Sequence, residues 1–347
     1  MKRPFFISAV AFRGIVFSAA LLAAIPLAAQ APAALAKPAA KPVAKTAPAS
    51  KKWTLQHTPD GQPDFQGIWS FATLMPLERP KELGTKASFT EAEAIEFANR
   101  TQQQVSTDRR DGGADADVGR SYNELWRDRG TVKAGPTSMI IDPPDGRIPQ
   151  LTPDAKRVED ARAKARSGPP RGPEDRNTWE RCLTRGLPYY PTSYNNNFQI
   201  MQTPGYVMIV TEMIHEVRTV PLDGRPHLAP TIRSWMGDSR GHWEGNTLVI
   251  DTINFNDQAS FRGSTSNLHL IERLTRVDEN TLNYEFTLDD PKAFARPWTA
   301  MIPTSKIDEP IYEYACHEGN YALMDILAGA RADEKKAAGA AKPGAQQ

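Results

Sequence analysis

The pattern of apolar and polar positions changes once along the chain, near Asn195. Downstream of that point the period is two. The stretches FQIMQTPGYVMIVTEMIHEVRTVPL, HWEGNTLVIDTINF, HLIERLTRVDENTLNYEFTL, PWTAMIP and IYEYACHEG read as strands with one buried face. Asp223-Gly224, Glu244-Gly245-Asn246 and Asp278-Glu279-Asn280 are the candidate hairpin turns between them. Consecutive hairpins at this spacing predict a mainly β fold, an up-and-down meander closing into a barrel.

Upstream the pattern is irregular and partly helical. DFQGIWSFATLMPLERP holds a short strand, stopped by Pro76 and Pro80. SFTEAEAIEFANRTQQQ predicts a helix in which Thr90 is the N-cap and Glu93 completes a capping box. TPDAKRVEDARAKARSG predicts a second helix, with Thr152 as N-cap, Pro153 in its first turn and Gly168 past its end. Its surface is almost wholly charged, which places it on the outside. PEDRNTWERCLTRG predicts a third, short helix carrying Cys182.

The first residues change the picture of the ends. A basic start, the apolar run GIVFSAALLAAIPLAA and the small-x-small triplet Ala34-Leu35-Ala36 form a secretory signal peptide over residues 1–36. No later segment is apolar and long enough to span a membrane. The expected order is then an Ala/Pro/Lys linker over 37–52, an irregular and helical segment over 53–194, the β-barrel core over 195–330 and a disordered tail over 331–347. The protein is expected in the periplasm or secreted. In that oxidising setting the two cysteines, Cys182 and Cys316, are expected to pair.

Charge removes some function classes. The formal net charge is +1, and loss of Lys2, Arg3 and Arg13 with the signal peptide takes it to −2. With no basic block, nothing in the chain attracts nucleic acid or an anionic membrane. The 29 prolines suit a loop-rich β protein better than a helical bundle. The sequence carries no signal of an oligomeric state.

Gly67-Ile68-Trp69 resembles the Gly-x-Trp of the first strand of lipocalin-like (calycin) barrels, in which the Trp closes one barrel end. The wider pattern DFQGIW, SFATLMPLERP, YNNNFQI, GDSRGHWEGNTLVIDT and YEYACHEGN, over residues 58–330, is similar to an uncharacterised exported bacterial family. The resemblance implies a lipocalin-like barrel and these domain limits. It implies no reaction.

Chemistry is therefore sought in the strands. In VTEMIHEVRTV one face carries His215 with Met213 and Val217, and the other carries Glu216 and Arg218. His215 lies on the more apolar face and is expected to look inward. In LHLIERLTRV, Glu272 lies between Leu270 and Leu274 and is expected inside more readily than His269. Gly237-Asp238-Ser239-Arg240-Gly241 reads as a polar loop joining two strands, its Asp238 either a site carboxylate or a partner of Arg240. Tyr194 and Asn196, in YYPTSYNNNFQI, suit a phenolic or sugar-like ligand at a barrel mouth, or else a capped turn. His317 adds a third histidine beside a carboxylate.

These residues point to a small-molecule ligand. His215, His269, Glu272 and Asp238 are the catalytic candidates; Tyr194, Asn196, Arg218 and His317 are the binding candidates. The function expected is an exported enzyme, a lyase, isomerase or hydrolase, using His and carboxylate groups on a small, partly apolar molecule in the barrel cavity. The alternative is a non-catalytic lipocalin-like binding protein. The chain has no metal-ligand spacing, no Gly-x-Ser-x-Gly elbow and no Gly-rich phosphate loop, so no metal or cofactor is expected.

Overall fold

The structure is a computed structural model that describes residues 53–120 and 123–340. The predicted signal peptide, the linker and the last seven residues of the tail lie outside them. The short elements of the first half are β1 (Gly67–Ser70), β2 (Ser88–Phe89), helix α1 (Glu91–Val105), helix α2 (Gly113–Gly119), β3 (Gly135–Pro136), β4 (Ile140–Asp142) and helix α3 (Pro153–Arg166). The second half supplies β5 (Asn197–Thr203), β6 (Tyr206–Thr211), β7 (Val217–Pro221), β8 (Asp238–Glu244), β9 (Thr247–Ile253), β10 (His269–Arg276), β11 (Thr281–Asp289) and β12 (Trp298–Ile307). Helix α4 (Ala322–Ala340) follows.

Nine strands form one antiparallel path in the order β7-β6-β5-β1-β12-β11-β10-β9-β8; β4 adds to β12, and β2 and β3 pair separately. The first-half strand β1 thus sits in the middle of the sheet, with Trp69 opposite Phe198 on one side and Lys306 on the other. Period-two patterning accounts for the rest. Leu270, Glu272 and Leu274 on β10, Leu282, Tyr284, Phe286 and Leu288 on β11, and Trp298, Ala300 and Ile302 on β12 all turn to one buried face. The sheet bends back on itself: Arg218 of β7 hydrogen-bonds Glu272 of β10 at 2.9 Å, although five strands lie between them. Gly241 of β8 lies so close to β7 that a Cβ there would meet Val220 and Leu222 at 2.8 Å. No hydrogen-bonded ladder joins β7 to β8 among the described residues.

One end of the inner face is plugged. Trp69 is fully buried, donates from Nε1 to the Phe65 carbonyl at 2.9 Å and lies under the Arg276 guanidinium at 5.4 Å. Arg276 in turn donates to the Asp64 and Glu279 carbonyls, and Phe65 meets Trp243 edge-on at 5.2 Å. The middle is filled by rings: Phe71 stacks on Phe198 at 4.1 Å and touches Tyr284 and Tyr189, while Phe286, Trp298 and Phe261 continue the chain of contacts. The open space of the inner face lies beside Phe71 and Tyr189, in a cleft that Trp69 does not line.

Two helices form for the reasons their sequences give. Thr90 accepts from the Glu93 backbone N–H while the Glu93 side chain accepts from Thr90, and Thr152 accepts from the Ala155 N–H. Other segments differ from expectation. PEDRNTWERCLTRG is a short 3₁₀ turn (Pro173–Asp175) followed by turns: Arg176 leaves helical geometry for an extended conformation, and further on Cys182 is left-handed. IYEYACHEG is not a strand: its backbone is held instead by side chains, with Tyr312 N–H donating to Glu212 and the Tyr314 carbonyl facing the His215 ring. Asp223-Gly224 opens a long connection to β8 rather than a hairpin. The residues from 331 to 340 belong to α4, where Arg331 donates to the carbonyls of Pro170 and Arg171 and so ties the helix to the loop after α3.

Cys182 and Cys316 are joined by a disulfide across 134 residues. The link fixes the segment after β12 against the turn before β5. Cross-linking so long a loop constrains the unfolded chain, an effect of about 2–5 kcal/mol. Cys182→Ser should lower the denaturation free energy by that amount in urea titrations, and the wild-type protein should show no free thiol when denatured without reductant.

Candidate functional site

The open end of the inner face forms a cleft of about 180 Å³. Its apolar wall is made by Phe71, Tyr189, Tyr190, Met213 and Phe261, and its polar rim by Asn195, Asn197, Arg185 and Glu216. The rim is built by the connection between β6 and β7. VTEMIHEVRTV is not one strand: Ile214 (φ 59°) and His215 (φ 44°) adopt left-handed backbone conformations, and the Thr211 N–H donates to the Glu216 carbonyl across a tight loop. The loop changes the parity of the chain. Val207, Ile209 and Thr211 face inward before it, whereas Arg218 and Val220 face inward after it.

That switch corrects the reading of His215. Its side chain is exposed outside the sheet, with Nδ1 3.1 Å from the Tyr314 carbonyl. Arg218 is the inner residue. It is 5% exposed and donates from Nη1 to both oxygens of Glu272, at 3.2 and 2.9 Å, and Glu272 also accepts from the Tyr284 hydroxyl at 2.7 Å. Arg218 Cζ lies 5.1 Å from the centroid of the Tyr189 ring. Burial alone would ease the proton off Arg218, but the Glu272 carboxylate beside it raises its pKa, and burial also raises those of Tyr189 and Tyr284. The group therefore stays an ion pair flanked by neutral phenols. Among the described residues, Arg218 Nε and Nη2 and the Tyr189 hydroxyl are buried without a hydrogen-bond partner, so the cluster is polar but incompletely satisfied.

His269 and Asp238 meet on the other face. GDSRG is not a loop: Asp238 begins β8, whose Ser239 and Gly241 turn inward and whose Asp238, Arg240, His242 and Glu244 turn outward. On that outer face His269 Nε2 lies 2.5 Å from Asp251 Oδ2, the other Asp251 oxygen lies 2.9 Å from His227 Nε2, and His227 Nδ1 lies 2.9 Å from Asp238. Arg240 and the Leu228 N–H complete the shell of Asp238. The chain His269–Asp251–His227–Asp238 pins the long connection between β7 and β8 against β8 and β9. The hydrogen bond that His269 donates to Asp251, against some loss to burial, raises the His269 pKa; burial pushes Asp251 up, but its two histidines more than reverse that. Burial likewise pushes Asp238 up, and the Leu228 N–H, His227 and Arg240 hold it below its ordinary value.

The remaining candidates are spread out. Asn196 lines the cleft, but its side chain is committed to the turn: Nδ2 donates to the carbonyls of Asp128 and Thr192, and Oδ1 accepts from the Thr192 N–H. Tyr194 lies 5.7 Å from the Arg127 guanidinium, outside the cleft. His317 is exposed in the loop beside the disulfide. Among the described residues no set of three His, Cys, Asp or Glu side chains is gathered to hold a metal, and no helix is long and apolar enough to cross a membrane. Sequence reasoning passed over Arg185, Glu216 as a rim group, and His227. Strand register would have brought Asp251 beside His269, since Asp251 is opposite Ile271; nothing periodic marks His227, which sits in a loop.

Two outcomes are expected. Glu272→Gln keeps the shape but leaves the buried Arg218 cation without its counter-charge, and should destabilise the protein by about 3–5 kcal/mol in denaturant titrations, whereas Arg218→Met with Glu272→Leu should recover much of it. The second concerns pH. A raised His269 pKa gives stability that is full below the ordinary histidine value of 6.5 and is lost as pH rises through the folded-state value. The lowered Asp251 pKa gives stability present above 3.8 and lost on acidification below it. Stability should therefore decline between about pH 6 and 8 by a small, salt-sensitive amount, because His269 is 38% exposed. His269→Gln should flatten that part of the profile measured by thermal melts; an unchanged slope would remove the assignment.

Set against protein families, curated proteins and solved structures, the chain matches none of them.

Proposed function

We propose that the protein is an exported, lipocalin-like β-barrel that binds a small, ring-containing molecule in the cleft at its open end. The disulfide fits an oxidising compartment, periplasmic or extracellular. The approach of β8 to β7 at Gly241 and the contact of Arg218 with Glu272 support a sheet that completes a barrel across the seam between those strands. Trp69 under Arg276 supports the resemblance to calycin barrels, where a Trp from the first strand closes one end.

One observation carries the binding reading: the cleft has flat apolar walls and a polar rim and is the continuation of an otherwise filled interior. Aromatic faces beside a few fixed donors and acceptors suit a phenolic or similar ring. Glu216 accepts from the Thr184 hydroxyl and from the Arg185 N–H, and burial raises its pKa, so it presents an oriented carboxyl at the rim. A volume of about 180 Å³ admits one ring with a substituent, not a polycyclic ligand.

The proton-transfer reading keeps one observation of its own. His269 is paired with Asp251, and its Nδ1 makes no hydrogen bond among the described residues, an arrangement able to move a proton. It lies on the outer face of the sheet, away from the cleft, which favours binding over catalysis in the interior.

Benzamide is a suitable neutral probe. Calorimetry should detect its binding to the wild-type protein in the millimolar range or tighter, as expected of a ligand of so few atoms. Phe261→Ala should weaken it about ten-fold by removing one wall, and His215→Gln should leave it unchanged. Absence of binding, or equal binding by Phe261→Ala, would refute the cleft as the site. Chemical conversion of a bound ring that stops with His269→Gln would put the proton-transfer reading first.

A further inference from the structure

Arg185 stands between two spaces. It lines the mouth cleft, and it also lines a neighbouring groove of about 430 Å³ that shares Trp179, Gly186 and Phe261 with that cleft. Its guanidinium lies 5.5 Å from the centroid of the Trp179 ring and makes no hydrogen bond or ion pair among the described residues. Other enclosed arginines each hold at least one acceptor by comparison, even where a donor is left over, as on Arg218 and Arg276. Arg79 donates to Thr137 and Pro144, Arg129 to Glu124, Arg176 to Glu180, and Arg276 to two carbonyls.

A guanidinium that has given up much of its water without gaining an acceptor is a set of five donors in a planar fork, still to be matched. Burial lowers the Arg185 pKa, the direction taken by a cation whose surroundings do not make up for lost hydration. Glu216 is near enough to act on it electrostatically, but its oxygens accept from the Thr184 hydroxyl and from the Arg185 backbone N–H rather than from the guanidinium. On the groove side, Arg181 also makes no side-chain hydrogen bond or ion pair among the described residues, which adds positive charge to the same wall.

We infer that the cleft selects a ring bearing a carboxylate, with the ring against Tyr190 and Phe261 and the carboxylate accepting from the Arg185 guanidinium. This rests on the reading of the cleft as a small-molecule site. The chemistry is that of a planar fork meeting a planar anion, which no neutral substituent of the same size reproduces. The size of the cleft limits the ligand to a single ring, so benzoate is the natural probe and benzamide its uncharged counterpart.

Calorimetry with both probes at neutral pH tests the inference in the wild-type protein, in Arg185→Gln and in Arg185→Lys, each checked for folding by circular dichroism. Benzoate should bind the wild type about ten-fold or more tightly than benzamide, and added salt should weaken benzoate alone. Arg185→Gln should bring the two probes within about two-fold, with benzoate losing much more affinity than benzamide, and Arg185→Lys should keep part of the preference. Equal affinity of the two probes for wild type, or a preference that survives Arg185→Gln, overturns the carboxylate assignment and leaves the cleft as a site for neutral rings. Failure of both probes to bind overturns the cleft and the assignment together. Should Arg185→Gln not fold, the wild-type preference and its salt dependence decide.

Discussion

A guanidinium shut away from water has to sit against a carboxylate, and in this chain that requirement ties β7 to β10. Arg218 and Glu272 are both buried, and neither has another ionic partner of opposite charge within hydrogen-bond reach among the described residues. Their contact can form only if the sheet curls until its first strand faces strands near its other edge. Hydrophobic burial by Leu270, Leu274, Phe286 and Ile302 drives the curl, but apolar contacts are non-directional. The ion pair adds direction, since one register of β7 places Arg218 on Glu272 and a shift by one residue turns it outward. Tyr284 and Tyr189 close around the pair, and the same Tyr189 forms a wall of the cleft. The open end is thus shaped by the charge beneath it.

Much of the sheet was legible from alternation alone. In β10 to β12 period two, with short turns at Gly245-Asn246 before β9 and at 277–280, makes the strands and their faces readable. Glu272 was legible too, because two leucines flank it on the same face. His215 was not. The segment from Thr211 to Val217 keeps an alternating appearance, but the backbone turns left-handed at Ile214 and His215, and the parity reverses where no glycine, proline or Asn-Gly pair announces a turn. The same reversal made Arg218 look like the outer alternative.

The cluster around Asp238 was misjudged in a different way. Gly237 and Gly241 suggest a polar loop joining two strands, yet Gly241 is there because β8 approaches Val220 and Leu222 too closely for a side chain. A glycine needed for close packing and a glycine needed for a turn look alike in a sequence. Disulfide pairing, by contrast, required no geometry: two cysteines in a chain expected to be exported leave one pairing. The cleft itself is lined by Tyr189, Phe261 and Arg185, which belong to segments without periodicity, so nothing in the local pattern could have assembled it.

Where a ring binds decides between the cleft and the outer face. Nuclear Overhauser contacts between bound benzamide and the protein provide the most direct measurement. The account predicts contacts from the ring protons to Phe71, Tyr190, Thr211 and Phe261, with none to His269 or Asp251. Contacts confined to the outer face of β8 to β10, or to Trp69 at the plugged end, would contradict it.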